Sequence, residues 1–292
     1  MGRPIPSDWG AAMSNVSATE PGVGQSGTDS DAGSLLLFWT ILRMNLLLMV
    51  RYRLNFAAQI VGMYLFFGVI FFGGSAAAES VGGMSALGGT FDAIIVGWFL
   101  WTMAQSAYAS LSSEITQESR WGTLEQLYLS PHGFGRILGM KVLANMLLSM
   151  LMGLIMLVLM LVTTGRSLAL NFVTIVPITV LTLLTAVGVG YVFAGLSLVY
   201  KRVSSVSQLA QFALLGLIAA PAADVPSLKL LPLTQGSSML QRSMRAGVQL
   251  WEFAPLDIAI LLVVGIGYLT AGHLVFMFCL NLARKRGVMG HY

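Results

Sequence analysis

The apolar residues of this chain fall in blocks that approach or exceed the ~20 residues a helix needs to cross a hydrocarbon layer of ~30 Å. They lie at about Phe56–Phe72, Thr90–Ser113, Val142–Val162, Phe172–Tyr200, Val203–Ala220 and Leu256–Leu282. In lipid a backbone must satisfy its own polar groups, and a helix does so within one segment. Only 10% of the residues are charged, against roughly 25% in a soluble domain. Mean hydropathy is +0.80. These features specify an all-α integral membrane protein of about six transmembrane helices.

The polar stretches organise the rest. Residues 1–34 are rich in Ser, Gly, Pro and Asp and are read as a disordered tail. The membrane unit is then 35–286, with 287–292 a short tail. Leu35–Leu54 is apolar but carries Arg43, Asn45, Arg51 and Arg53. Arg43 at mid-span would cost roughly 2.5–3.5 kcal/mol, whereas an amphipathic helix lying in the interface avoids that cost. Residues 221–255 contain Pro221, Pro226, Pro232 and Pro255. Leu228–Leu233 and Ser237–Leu240 there are too short to span and suit a segment that dips into the layer and returns.

Charge orients the chain. Arg43, Arg51, Arg53, Arg120, Arg136, Lys141, Lys201, Arg202, Arg284, Lys285 and Arg286 fall on one side of a six-span plot. Arg166, Lys229, Arg242 and Arg245 fall on the other. The positive-inside rule puts the first group, and both termini, in the cytoplasm. The single cysteine, Cys279, lies in an apolar block, so no intrachain disulfide exists and the residue reads as packing.

The most polar internal stretch is Glu114–Lys141. Glu114 and Glu118 are four apart and share a helix face. Gly122 interrupts that helix. Thr123 suits the cap of a new one, with Gln126 completing a capping box. Leu124, Leu127 and Leu129 give the new helix an apolar side, and Ser130-Pro131 ends it. The product is a short helix standing off the membrane between the second and third spans, a shape made for something to dock on.

Glu118, Gly122-Thr123-Leu124-Glu125-Gln126-Leu127 and Ser130-Pro131 resemble the signature of ABC transporter permeases of the ABC type-2 exporter family. The resemblance covers roughly 35–286 and implies the type V exporter fold. It makes Leu35–Leu54 a connecting helix, 114–131 the coupling-helix segment, and 221–255 an external re-entrant element entered through Leu231-Pro232-Leu233-Thr234. It implies that Glu118, Gly122, Thr123, Leu124, Glu125, Leu127, Ser130 and Pro131 couple the chain to separate ABC ATPase subunits. It also implies a second permease copy or homologue and a substrate path at the dimer interface, lined by spans two and five. Those spans offer Trp98, Trp101, Gln105, Ser204, Gln208, Gln211 and Phe212. Gln208 and Gln211 share a face with Ser204; lining a path and joining helices are both open readings of it.

The chemistry that is missing narrows the rest. No Gly-x4-Gly-Lys-Ser/Thr loop occurs, and Gly135–Lys141 fails it on spacing. The chain is therefore expected to be no enzyme and to bind no cofactor, ATP and Mg being used by the partner. His132, His273 and His291 are isolated from one another, and no metal motif surrounds them. Carboxylates are nearly missing from mid-span positions; Asp92 and Asp257 lie near span ends. Ion-coupled transporters place them at the midplane. The expectation is an exporter in the plasma membrane for a small hydrophobic or amphipathic compound: drug-like, lipid or glycan. The alternatives are an ATP-independent secondary transporter or channel, and a membrane assembly protein.

Overall fold

The structure is a computed structural model that describes residues 28–80, 88–121, 134–200, 204–219 and 226–285. Eight α-helices are present among them: α1 Thr28–Arg51, α2 Arg53–Ser80, α3 Gly88–Trp121, α4 Phe134–Thr164, α5 Phe172–Val199, α6 Ser204–Ile218, α7 Thr234–Ala246 and α8 Pro255–Lys285. Two 3-10 turns, Pro226–Leu230 and Leu250–Glu252, flank α7. No strand occurs among the described residues, so the all-α membrane class holds.

Five helices are long and apolar enough to cross a membrane: α2, α3, α4, α5 and α8. The sixth expected crossing, Val203–Ala220, contains α6, whose 15 residues reach about 22 Å at 1.5 Å per residue. The expected interfacial helix is α1, and it does not stand apart from the first span. Tyr52 N–H donates to Leu48 O at 2.8 Å, and Phe56 N–H to Tyr52 O at 3.0 Å, so helical bonding continues through the junction. Leu36, Trp39, Arg43, Leu47 and Val50 share one exposed face, which sets Arg43 among large apolar neighbours.

Side-chain contacts fix the direction of each helix. Phe67 and Phe71 of α2 meet Trp98 and Phe91 of α3, so those two run antiparallel. Ser106 and Glu118 of α3 meet Ser149 and Lys141 of α4, again antiparallel. Thr116 of α3 meets Ser197 of α5, and Tyr108 faces Gly190, so α3 and α5 run the same way. α8 follows them: Leu181 faces Gly265, Gly188 faces Gly272, and Gly195 faces Phe276. From α2 to α5 each helix reverses the last, and α6, with Ser207 at Tyr108 and Ile218 at Gly97, runs against α5 and α8 and returns the chain between them.

The core is the α5–α8 pair. A methyl at Gly188 would overlap the Tyr268 carbonyl, and one at Gly272 would overlap the backbone of Gly188. Small residues at these positions let the two backbones touch, which is how helices associate where apolar burial gives no preference over lipid. Ala186, Gly190 and Ala194, small residues at helix-pair spacing in the sequence, are spent inside this chain. Gly190 lies against the Tyr108 backbone, and both alanines are buried.

The segment expected to dip into the layer has a defined course. Ala169 N–H bonds Met244 O at 2.8 Å, Leu250 N–H bonds Thr174 Oγ1 at 3.1 Å, and Gly236 rests on Thr182. Leu233 N–H reaches Thr185 Oγ1 at 3.1 Å. Thr174 and Thr185 are eleven residues apart, about 16 Å along α5. α7 therefore starts deep against the middle of α5 and climbs antiparallel to it. Leu233, just before α7, is buried and held in the left-handed region at φ 66°, a conformation that costs a β-carbon-bearing residue about 1–2 kcal/mol.

α6 and α7 share one column. Gly97 of α3 faces Ile218, the last residue of α6, so α6 stops about 10 Å short of the level of Thr90. Ser237 Oγ–H then donates to Ile218 O at 2.6 Å. A terminal carbonyl with no partner in its own helix is satisfied by the next element.

Candidate functional site

Two ends of the bundle carry charge. At the end where α4 gives way to α5, Asp92 takes Arg166 at 3.0 Å, and the Arg166 guanidinium lies over Phe91. Asp257, in the first turn of α8, takes Lys229 at 2.9 Å, Arg242 at 3.6 Å and Gln235 Nε2 at 3.2 Å. The 3-10 turn, α7 and α8 are thereby tied at one carboxylate. Three of the four basic residues assigned from sequence to the far side meet here.

The opposite end is where α3 stops and α4 starts. Gly122, Thr123, Leu124, Glu125, Gln126, Leu127, Ser130 and Pro131 lie outside the described residues. Their mount is described. Glu114 and Glu118 both turn toward α4, as their four-residue spacing requires. Glu118 pairs with Lys141, both side chains being at least four-fifths buried. Glu114 Oε1 accepts from Asn145 Nδ2 at 2.7 Å. Higher up, Ser149 Oγ–H donates to Ser106 Oγ at 3.1 Å and is shared with Asn145 O at 2.8 Å. Thr116 Oγ1 adds a bond to Ser197 Oγ of α5 at 3.1 Å.

These partners were readable in part. Lys141, Asn145 and Ser149 are spaced by four on α4, and Glu118 and Glu114 by four on α3. Two antiparallel helices with matching spacing face rung to rung. The acidic half of that pattern is visible in the sequence reading; Lys141 there serves only as a topology charge. Ser106, Thr116 and Ser197 carry no signal of their own.

The span-two and span-five residues assigned to a path do not form one surface within a single chain. Trp98 and Trp101 are buried, their rings 4.8 Å apart, with Phe66 5.3 Å from Trp98 across α2. Gln105 is half-buried. Its Oε1 and both indole nitrogens are buried without a hydrogen-bond partner. On α6, Gln208 is exposed, Gln211 half-buried, and Phe212 64% exposed. Ser204 opens α6, its side chain outside the description. α3 meets α6 elsewhere, where Tyr108 Oη donates to Ser207 O at 3.0 Å.

His273 sits edge-on to Tyr191, ring centroids 5.4 Å apart. No group of three or more His, Cys, Asp or Glu able to hold a metal occurs among the described residues.

The bundle has two charged ends, with a braced α3–α4 mount at one and the inserted α7 at the other. A family model described as ABC-2 family transporter protein matches residues 82–274, about two thirds of the chain. The match runs from just before α3 into α8 and includes the mount, α6 and α7. No curated protein matches the chain, and no solved structure does.

Proposed function

The chain belongs to the ABC-2 family of transporter proteins, and on that premise we propose that it is the permease subunit of an ATP-driven exporter. It is a multi-pass membrane protein, and membership of this family implies work with ABC ATPase subunits. ATP and Mg belong to that subunit in this reading. Residues 122–131 form the coupling element, and nucleotide-driven closure of the ATPases moves it. The observation that carries the reading is the mount beneath it: two antiparallel helices joined by Glu118–Lys141 and Glu114–Asn145. A push delivered between α3 and α4 is then received by both helices together.

Three finer points have support. The basic asymmetry favours cytoplasmic termini in a plasma membrane, with the α3–α4 end inside. The course of α7, from the middle of α5 back to its start, fits an external re-entrant element of a type V exporter. The open face of α6, with Gln208 and Phe212, fits a second permease copy across a central path. With aromatic and uncharged groups on α3 and α6, the substrate is a small hydrophobic or amphipathic compound.

Co-purification with a co-expressed ABC ATPase subunit tests the proposal. Glu125→Lys and Leu127→Asp should each abolish co-purification and leave the permease monodisperse. ATPase binding that survives both substitutions counts against docking at this segment. Ion-driven transport by the purified chain alone would establish the secondary-transporter alternative instead.

A further inference from the structure

We propose that Glu118 is a positioning residue that acts through Lys141, the lowest rung of a polar ladder coupling α3 to α4, rather than a residue that touches the ATPase. The inference rests on the exporter reading and changes the role of one residue in it.

The geometry is specific. The Glu118 carboxylate points across to α4 and is 15% exposed, leaving it little surface to offer a docked protein. Above it, Glu114–Asn145 and Ser106–Ser149 continue the same stripe. From Glu118 to Ser106 is twelve residues, about 18 Å of helix, or more than half of a hydrocarbon core. Higher up between these helices the contact is apolar, Met103 folding against Gly153. Apolar surfaces in lipid slide and rotate at little cost, because lipid solvates them as well as protein does. Directional bonds fix register. A displacement applied at residues 122–133 would therefore travel up the pair as one body, and Thr116–Ser197 would pass it to α5. From α5 it reaches α8 through the glycine contacts, and Leu233 and Leu250 on either side of α7 through Thr185 and Thr174.

The test reads motion at the far end while nucleotide acts at the near end. In a Cys279→Ala background, Leu230→Cys places an exposed thiol in the 3-10 turn before α7. The complex with its ATPase is reconstituted in vesicles of phosphatidylethanolamine and phosphatidylglycerol, and maleimide labelling is followed with and without ATP and vanadate. The parent should label at two different rates. Glu118→Lys should shrink that difference about five- to tenfold while ATP hydrolysis persists. The swap Glu118→Lys/Lys141→Glu restores the pair with its charges exchanged and should restore the difference. A residue that touches the ATPase would not be rescued by a change on α4, so failure of the swap overturns the proposal. Should the reversal fold poorly, Glu114→Leu and Glu114→Gln serve. Gln can still accept from Asn145 and should keep the response; Leu should lose it, and equal behaviour of the two overturns the ladder. A parent whose labelling ignores nucleotide overturns the exporter reading, and the ladder with it.

Discussion

α6 is built from sequence as apolar as that of α8, yet α6 and the α5–α8 pair are held in opposite ways. α5 and α8 touch backbone to backbone at four glycines and bury a whole face of each other. α6 is half as long, ends against a serine from another element, and leaves Leu209 69% and Phe212 64% exposed. Hydropathy cannot tell these helices apart. What separates them is where small residues let another backbone approach. The tight pair is a frame, and the loosely held helix is a part able to move against it.

The most severe break in that contrast is a leucine at Gly188 or Gly272. The nearest obstacle to a methyl at either site is backbone, which cannot rotate away. Overpacking of this kind costs about 1–3 kcal/mol or more, and the helices must separate. Both variants should lose the monodisperse peak in detergent and melt well below the parent. Gly267→Leu on α8 and Gly216→Leu on α6 meet open space and should melt with it. Identical melting of Gly188→Leu and Gly267→Leu would remove the frame from the account.

Next in size is the seat of α7. Thr185→Val removes the acceptor of the Leu233 N–H. An unsatisfied buried donor costs about 1–3 kcal/mol, and here it sits beside a strained backbone. Thr185→Ser retains the hydroxyl and should recover most of the loss in a thermal melt. Ser237→Ala strands the Ile218 carbonyl and should cost about 1 kcal/mol. Its signature is local: faster hydrogen exchange at the end of α6, with α5 and α8 unchanged. Exchange spread evenly over all helices would show that α6 is no looser than the frame.

The sequence makes one half of this picture visible and hides the other. Span existence is legible because twenty apolar residues have one physical use. That no span lies within 226–254 is legible through the prolines and short apolar runs there. That α6 would fall short is not, because Val203–Ala220 reads as one block whose Ser and Gln residues suit a polar face of a full span as well as a shorter helix. Pro221 marks where the helix must stop, but the partner of its last carbonyl, Ser237, is nineteen residues from Ile218 and gives no local signal. The paired carboxylates Glu114 and Glu118 announce a shared face but not its partner. Lys141 could be found only once the antiparallel pairing of α3 and α4 was known. The residues assigned to a path lie on different surfaces of one chain for the same reason. Trp98 and Gln208 are polar-capable groups within spans, and only rotation about the helix axes decides that one turns to α2 and the other outward.

A weaker effect belongs to the far-end carboxylate. Asp257 gathers Lys229, Arg242 and Gln235 from two neighbouring elements. Arg242 is half exposed, and exposed pairs contribute about 0–1 kcal/mol each. Asp257→Asn keeps the bond from Gln235 and loses the attraction of the two cations. The Tm should fall slightly at low salt, and the gap to the parent should narrow as salt screens the parent's pairs. A gap that ignores salt would mean that shape, rather than charge, ties α7 to α8.

The smallest expected effect is the one most informative about α6. Phe212→Ser and Gln208→Ala change side chains that open away from the rest of this chain, so each should alter the stability of an isolated copy by no more than about 0.5 kcal/mol. If the open face meets a second copy, the same substitutions act there instead. Phe212→Cys in a Cys279→Ala background should then cross-link between copies in native membranes, whereas Gly267→Cys, on the open side of α8, should not. Phe212→Ser should lower the dimer fraction in detergent at an unchanged monomer melting point. Equal cross-linking at both positions would mean random collision in the bilayer. A drop in monomer stability at Phe212→Ser would place that ring inside the single-chain fold. The contrast between frame and moving part survives only if the open face of α6 is silent in one copy and matters in two.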